Sequence, residues 1–146
     1  MKDVWESLGT WLYAVLANKF VALTLGGALG THARYWLARW LDELGWARGF
    51  PLGTFVINVS GSFLLGAAAV LILERLPPSQ QAWYLLLGTG FCGGYTTFST
   101  FEWETFKLVR DGDFVWALLN VLGSVIVGFA GVFLAVTLMG VIFPRR

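Results

Sequence analysis

The sequence predicts an all-α integral membrane protein of four transmembrane helices, the third of them broken at a Gly/Thr-rich segment. Three observations lead there. Of the 146 residues, 57% are hydrophobic and only 13% charged, where soluble domains carry roughly a quarter charged residues. Four apolar stretches are each long enough to cross a hydrocarbon core, which takes about 20 helical residues. The third stretch also carries, between Gly88 and Phe101, four glycines and five Ser or Thr residues, a composition that a regular lipid-facing helix does not need.

The first stretch runs from Phe20 to Leu41, the second from Thr54 to Leu73, the third from Ala82 to Leu108 and the fourth from Phe114 to Phe143. Turn chemistry separates them: Gly45, Gly49, Pro51 and Gly53, then Pro77-Pro78-Ser79, then Asp111-Gly112-Asp113. No connection is long enough to divide domains. The chain therefore reads as an N-terminal extension, 1–18, and one four-helix unit, 19–146. In the extension Val4, Leu8, Trp11, Leu12 and Val15 recur at helical spacing, which suits either a helix lying in the membrane interface or a prolongation of the first span. It has no apolar core ending in a small-residue cleavage site, so a signal peptide is not expected.

Composition also excludes. The ten basic residues are scattered and the net charge is +1, so there is no basic stripe for a nucleic-acid backbone. Cys92 is the single cysteine and His32 the single histidine; one chain can form neither a disulfide nor a closed set of soft metal ligands. No nucleophile triad, phosphate loop or span-centre carboxylate is found, which argues against an enzyme, an ATP-driven pump and the simplest proton-coupled exporters.

Counted by side, Lys2, Lys19, Arg75, Arg145 and Arg146 oppose Arg39, Arg48, Lys107 and Arg110. Positive flanks normally fix orientation, and here they balance. A chain without that bias is expected to insert both ways up and pair as an antiparallel, dual-topology homodimer. Four helices alone also barely suffice to wall a polar path while hiding every backbone polar group from lipid. Gly26 with Gly30, Ser62 with Gly66, Gly90 with Gly94 and Ser124 with Gly128 have the four-residue spacing of close helix contacts.

Glycine density in the third span lets the backbone leave helical geometry, and carbonyls freed at membrane depth must be buried or bind something. A broken helix offering oxygens to a cation is one reading; a helix using glycine for packing is the other. Phe98 and Phe101 stand three apart, with Ser99 and Thr100 between them. Their ring edges carry partial positive charge and can face an anion without trapping it as a lysine would. In the second span Thr54, Asn58 and Ser62 form a polar line, and Asn120, Ser124 and Gly128 repeat the spacing in the fourth. Asn58 serves either as interhelical glue or as a pathway donor. Arg34 lies about 14 residues into the first span, ~21 Å along a helix, where snorkelling to the interface competes with a buried role. Glu102 and Glu104, two apart, point to different faces and read as solvated or vestibular charge.

These motifs resemble the small fluoride channels of the Fluc or CrcB family. The likeness covers all four spans and rests on the run Gly26 to Tyr35 (GGALGTHARY), the run Gly53 to Phe63 (GTFVINVSGSF) and, most specifically, the run Gly90 to Phe101 (GFCGGYTTFSTF). The resemblance implies passive, electrogenic fluoride export across the cell's inner or plasma membrane by an antiparallel homodimer with two pathways. It further implies a structural sodium ion at the dimer centre, held by the carbonyls of Gly93 and Thr96. Phe98 and Phe101 would form an aromatic box and Asn58 the amide donor. Thr54, Ser99, Thr100 and Ser124 would belong to the polar track, with Arg34 and Glu104 at the vestibules. Thr31, Asn120 and Gly128 depart from the usual pattern. The rival expectation is a small dual-topology cation or drug exporter.

Overall fold

The computed structural model describes residues 9–11, 14, 18–45 and 49–144, and every regular element among them is helical. The expected extension, 1–18, lies largely outside the described residues. Helix α1 spans Lys19–Leu44. The Asn18 side chain starts it by accepting from the amides of Phe20 and Val21 at 3.0 and 3.4 Å, and Gly45 stops it in the left-handed region at φ 62°. Helix α2 runs Leu52–Glu74, and its final turns, Ala69–Glu74, are wound wider than an α-helix. After a short turn at Pro78–Gln80, helix α3 covers residues 82–95, with Leu85–Cys92 again π-wound. Helix α4 spans Phe98–Arg110 and α5 Phe114–Ile142.

Helices α1, α2 and α5 thus extend a few residues beyond, or end beside, the limits expected for the first, second and fourth apolar stretches. The third comprises two helices. Thr96 (φ −79°, ψ 159°) and Thr97 (φ −150°, ψ 114°) are both extended, and they separate α3 from α4.

Two helix pairs organise the packing: α2 lies along α5, and α1 along α3. The second pair is tight because a Cβ on Gly26 or Gly30 would strike the carbonyl oxygens of Leu86 and Phe91. Backbone therefore meets backbone, as small residues allow in lipid. Gly90 and Gly94 answer from α3, facing Gly26 and Gly27. Among the described residues few are wholly enclosed, and these include Ala22, Ile57, Asn120 and Ala135.

The outer surface is apolar instead. Along α5 Val125, Ile126, Phe129 and Phe133 are all exposed, an arrangement that water does not tolerate over so large a patch and hydrocarbon does. By length and composition Leu52–Glu74 and Phe114–Ile142 are each able to cross a membrane. Helix α1 carries Arg34, Arg39, Asp42 and Glu43, and the halves α3 and α4 are each shorter than the about 20 residues of a full span.

Candidate functional site

The site is built around the interruption at Thr96 and Thr97. In an unbroken α-helix the Thr97 N–H would donate to the Gly93 carbonyl. Here it donates to Asn58 Oδ1 at 2.8 Å, while Asn58 Nδ2 donates to the Thr97 carbonyl at 3.1 Å. The Asn58 side chain takes the place of the helical acceptor of the Thr97 amide and adds a donor to its carbonyl, and the Gly93 carbonyl is released. The neighbouring residue stays attached to α3, since both the amide and the hydroxyl of Thr96 donate to the Cys92 carbonyl at 2.9 Å. The Thr96 carbonyl points instead toward α1, where Arg34 Nη1 approaches to 3.5 Å. Of the two roles open to Arg34, the structure favours the inward one: its half-buried guanidinium turns to a backbone oxygen 62 residues away in sequence.

Thr97 also starts α4. Its Oγ1 accepts from the Thr100 amide at 3.2 Å and donates to Thr100 Oγ1 at 2.9 Å. The first-turn amides of α4 have no intrahelical acceptor by position, so the positive end of this 13-residue helix lies at the break.

Two cavities flank the break. One, of about 590 Å³, is lined by Asn58 and Ser62 of α2, Phe98 and Phe101 of α4, and Ser124 of α5, with Gly93, Thr96 and Thr97 at its inner side. The Phe98 and Phe101 ring centroids stand 5.8 Å apart, tilted by 39°. Phe101 is buried at 7% exposure and Phe98 stands out at 75%. The other cavity, of about 750 Å³, is lined by Arg34, Thr54, Thr100 and Glu104, together with the charged end of α1 at Arg39, Asp42 and Glu43. Thr97 lines both cavities. A polar line therefore passes from one to the other across the broken helix.

The structure thus divides the residues expected from the sequence. Asn58, Phe98, Phe101 and Ser124 meet on one side, and Thr54, Thr100, Arg34 and Glu104 on the other. Ser99 is exposed and lines neither cavity. Gly93 is open, with no atom within 4 Å of where a Cβ would stand. Glu104 lines the second cavity beside Thr54 and keeps Oε2 buried without a partner, so it is less solvated than its place near a span end suggests. Glu102 is exposed.

Asn120 does not extend a lining face. It is fully buried and bonds to Thr105 of α4 at 2.9 Å. Thr97 and Thr105 were not singled out from the sequence. For Thr97 a signal existed, since Thr97-Phe98-Ser99-Thr100 reads as a helix start with its hydroxyl cap. Thr105 gave none, because its partner is 15 residues away on another helix.

Known proteins resemble this chain along most of its length. Residues 21–136 match the family model described as "CrcB-like protein, Camphor Resistance (CrcB)". A protein of Solibacter usitatus named "Fluoride-specific ion channel FluC" is 50% identical over 128 residues, covering 88% of this chain and 99% of that one. Proteins of the same name from Pyrococcus furiosus and Pyrococcus abyssi are 47% and 43% identical, over 86% and 85% of this chain and 96% and 94% of theirs. With the match running through the broken helix and both cavities, the chain belongs to the CrcB-like family of membrane proteins.

Proposed function

We propose that this chain is one protomer of a fluoride-selective channel, a passive and electrogenic conduit rather than an enzyme. The observation that carries the proposal is the pair of cavities meeting at Thr97, edged by aromatic rings and by amide and hydroxyl donors, in a chain whose relatives are named fluoride-specific ion channels. Fluoride is small and strongly hydrated, so a path must replace its water donors without holding it fast. Asn58 has one amide proton on the Thr97 carbonyl and a second to offer to the cavity it lines. Ser62 is not such a donor at rest, since its hydroxyl donates to the Asn58 carbonyl at 2.7 Å. Thr100 receives the Thr97 proton and so keeps its own for the second cavity. The ring edges of Phe98 and Phe101 and the positive end of α4 add attraction without a fixed charge.

The assembly proposed is an antiparallel, dual-topology homodimer of four-span protomers in the cell's inner or plasma membrane. The balanced basic flanks support it, as do the apolar outer faces and the open position of Gly93. A sodium ion at the dimer centre fits the donors present: the Gly93 carbonyl has lost its helical partner, and the Thr96 carbonyl has only a 3.5 Å contact to Arg34. Hard oxygen ligands of this kind suit such an ion, which would neutralise carbonyl dipoles concentrated at the break. The exporter reading lacks its central carboxylate, and the names of the relatives do not favour it.

Efflux from liposomes holding the purified protein tests the proposal, with a potassium ionophore to carry compensating charge and chloride as the control. Rapid loss of fluoride alone is expected. No loss from well-folded protein would overturn the channel reading.

A further inference from the structure

Asn120 is an amide with no exposure at all, on a helix whose outer face is apolar. Its orientation follows from its neighbours. Thr105 Oγ1 lies 2.8 Å from the Phe101 carbonyl, which can only accept, so the Thr105 proton is committed there. Toward Asn120 the same oxygen can then only accept, and the group 2.9 Å from it must be the amide nitrogen. The Asn120 oxygen is thereby turned to Ser124, whose hydroxyl donates to it at 3.5 Å. A directed chain results, from Ser124 through Asn120 and Thr105 to the Phe101 carbonyl.

Both ends of this chain belong to residues lining the 590 Å³ cavity. Its middle is sealed between α4 and α5. The Ser124 proton points away from the cavity at rest, and it does so through a bond at the outer limit of hydrogen-bond length. We propose that Asn120 is a positioning residue for anion passage. It parks the Ser124 hydroxyl proton on a weak acceptor, from which a small, hard monoanion in the cavity recruits it. The inference rests on the channel reading and deepens it, since an anion arriving beside Ser124 meets a donor that must first be released. A strong acceptor at this position would withhold the proton, and without the amide oxygen only the residue 120 carbonyl, one helical turn back, competes with the anion for it.

The test is a cycle in the liposome assay, measuring the fluoride concentration that half-saturates the efflux rate. Asn120→Leu keeps the volume and removes the acceptor. It is expected to lower the half-saturating concentration about threefold, the scale of one weak hydrogen bond. Combined with Ser124→Ala it should cause no further shift. Thr105→Val reaches the same end by another route: without that hydroxyl the amide orientation is no longer fixed, so a similar fall, again abolished by Ser124→Ala, is expected even if Asn120→Leu does not fold. Equal shifts with and without Ser124, or no shift in either folded single variant, would overturn the positioning role and leave the channel reading intact. Absence of fluoride efflux from the unsubstituted protein would overturn both.

Discussion

Asn58 pairs with Thr97 as a strand residue pairs with its neighbour, accepting from its amide at 2.8 Å and donating to its carbonyl at 3.1 Å. A single side chain on α2 thereby keeps α3 and α4 apart. Without it, the Thr97 amide has the Gly93 carbonyl as its nearest alternative, and the helix has reason to close. The two readings of Asn58, glue and pathway donor, are accordingly compatible: the amide holds the break open and still lines the cavity.

Asn58→Asp separates these contributions. The carboxylate still accepts from the Thr97 amide, but it has no proton for the Thr97 carbonyl and brings negative charge into an anion path. Fluoride efflux should fall at least about a hundredfold, given some 4 kcal/mol between like charges about 4 Å apart at an effective dielectric constant near 20. Asn58→Leu removes both hydrogen bonds to Thr97 and lets its amide turn back to the Gly93 carbonyl, so the net loss should be about 0.5–1.5 kcal/mol for each bond, read as a lower unfolding temperature in detergent. Unchanged efflux from folded Asn58→Asp protein would remove Asn58 from the path.

Phe98 and Phe101 differ in burial, 75% against 7% exposed, and their variants should differ accordingly. Phe98→Leu is expected to leave protomer stability within about 0.5 kcal/mol while lowering fluoride efflux roughly tenfold, because an aliphatic side chain has no polarised edge. Phe101→Leu should lose efflux and also about 1–2 kcal/mol of stability. If Phe98→Leu conducts normally, the ring pair is packing only.

The all-helical character and the location of the break could be read from the sequence because apolar length and glycine density are local properties. The run from Gly90 to Phe101 carried both the geometry and the family likeness. What could not be read was pairing between distant segments. The Asn58 to Thr97 exchange spans 39 residues, the Arg34 to Thr96 approach 62, and the Asn120 to Thr105 bond joins two helices. Periodicity put Asn120 on the face of Ser124 but could not tell a lining position from one sealed behind the lining. The same blindness left Arg34 between snorkelling and a buried role, since rise per residue gives depth and not the direction in which a side chain turns.

Gly30 and Gly93 form a contrasting pair. A Cβ at Gly30 would run into the Phe91 carbonyl, whereas one at Gly93 meets nothing within 4 Å in the protomer. Gly30→Val should prevent α1 and α3 from closing and destabilise the protein by several kcal/mol, about the upper range for overpacking. Gly93→Ala should leave the protomer folded. If the second copy covers this face, it should nonetheless shift the monomer–dimer equilibrium toward monomer, measurable by single-molecule photobleaching in liposomes. Dimerisation unchanged by Gly93→Ala would put the interface elsewhere.

Sodium dependence tests the released carbonyls directly. An ion bound only by the native dimer raises its stability as the logarithm of ion concentration above the dissociation constant, so the unfolding temperature should climb when sodium replaces a bulky organic cation at constant ionic strength. The rise should be specific to small cations, because carbonyls fixed at a helix break cannot close around a large one. It should also disappear in Asn58→Leu: with the Thr97 amide free to return to the Gly93 carbonyl, one proposed ligand is taken up by the helix itself. A sodium effect that survives in folded Asn58→Leu protein would mean that the ion sits at other oxygens. The same stability in sodium and in the organic cation would mean that the carbonyls of Gly93 and Thr96 are satisfied without an ion.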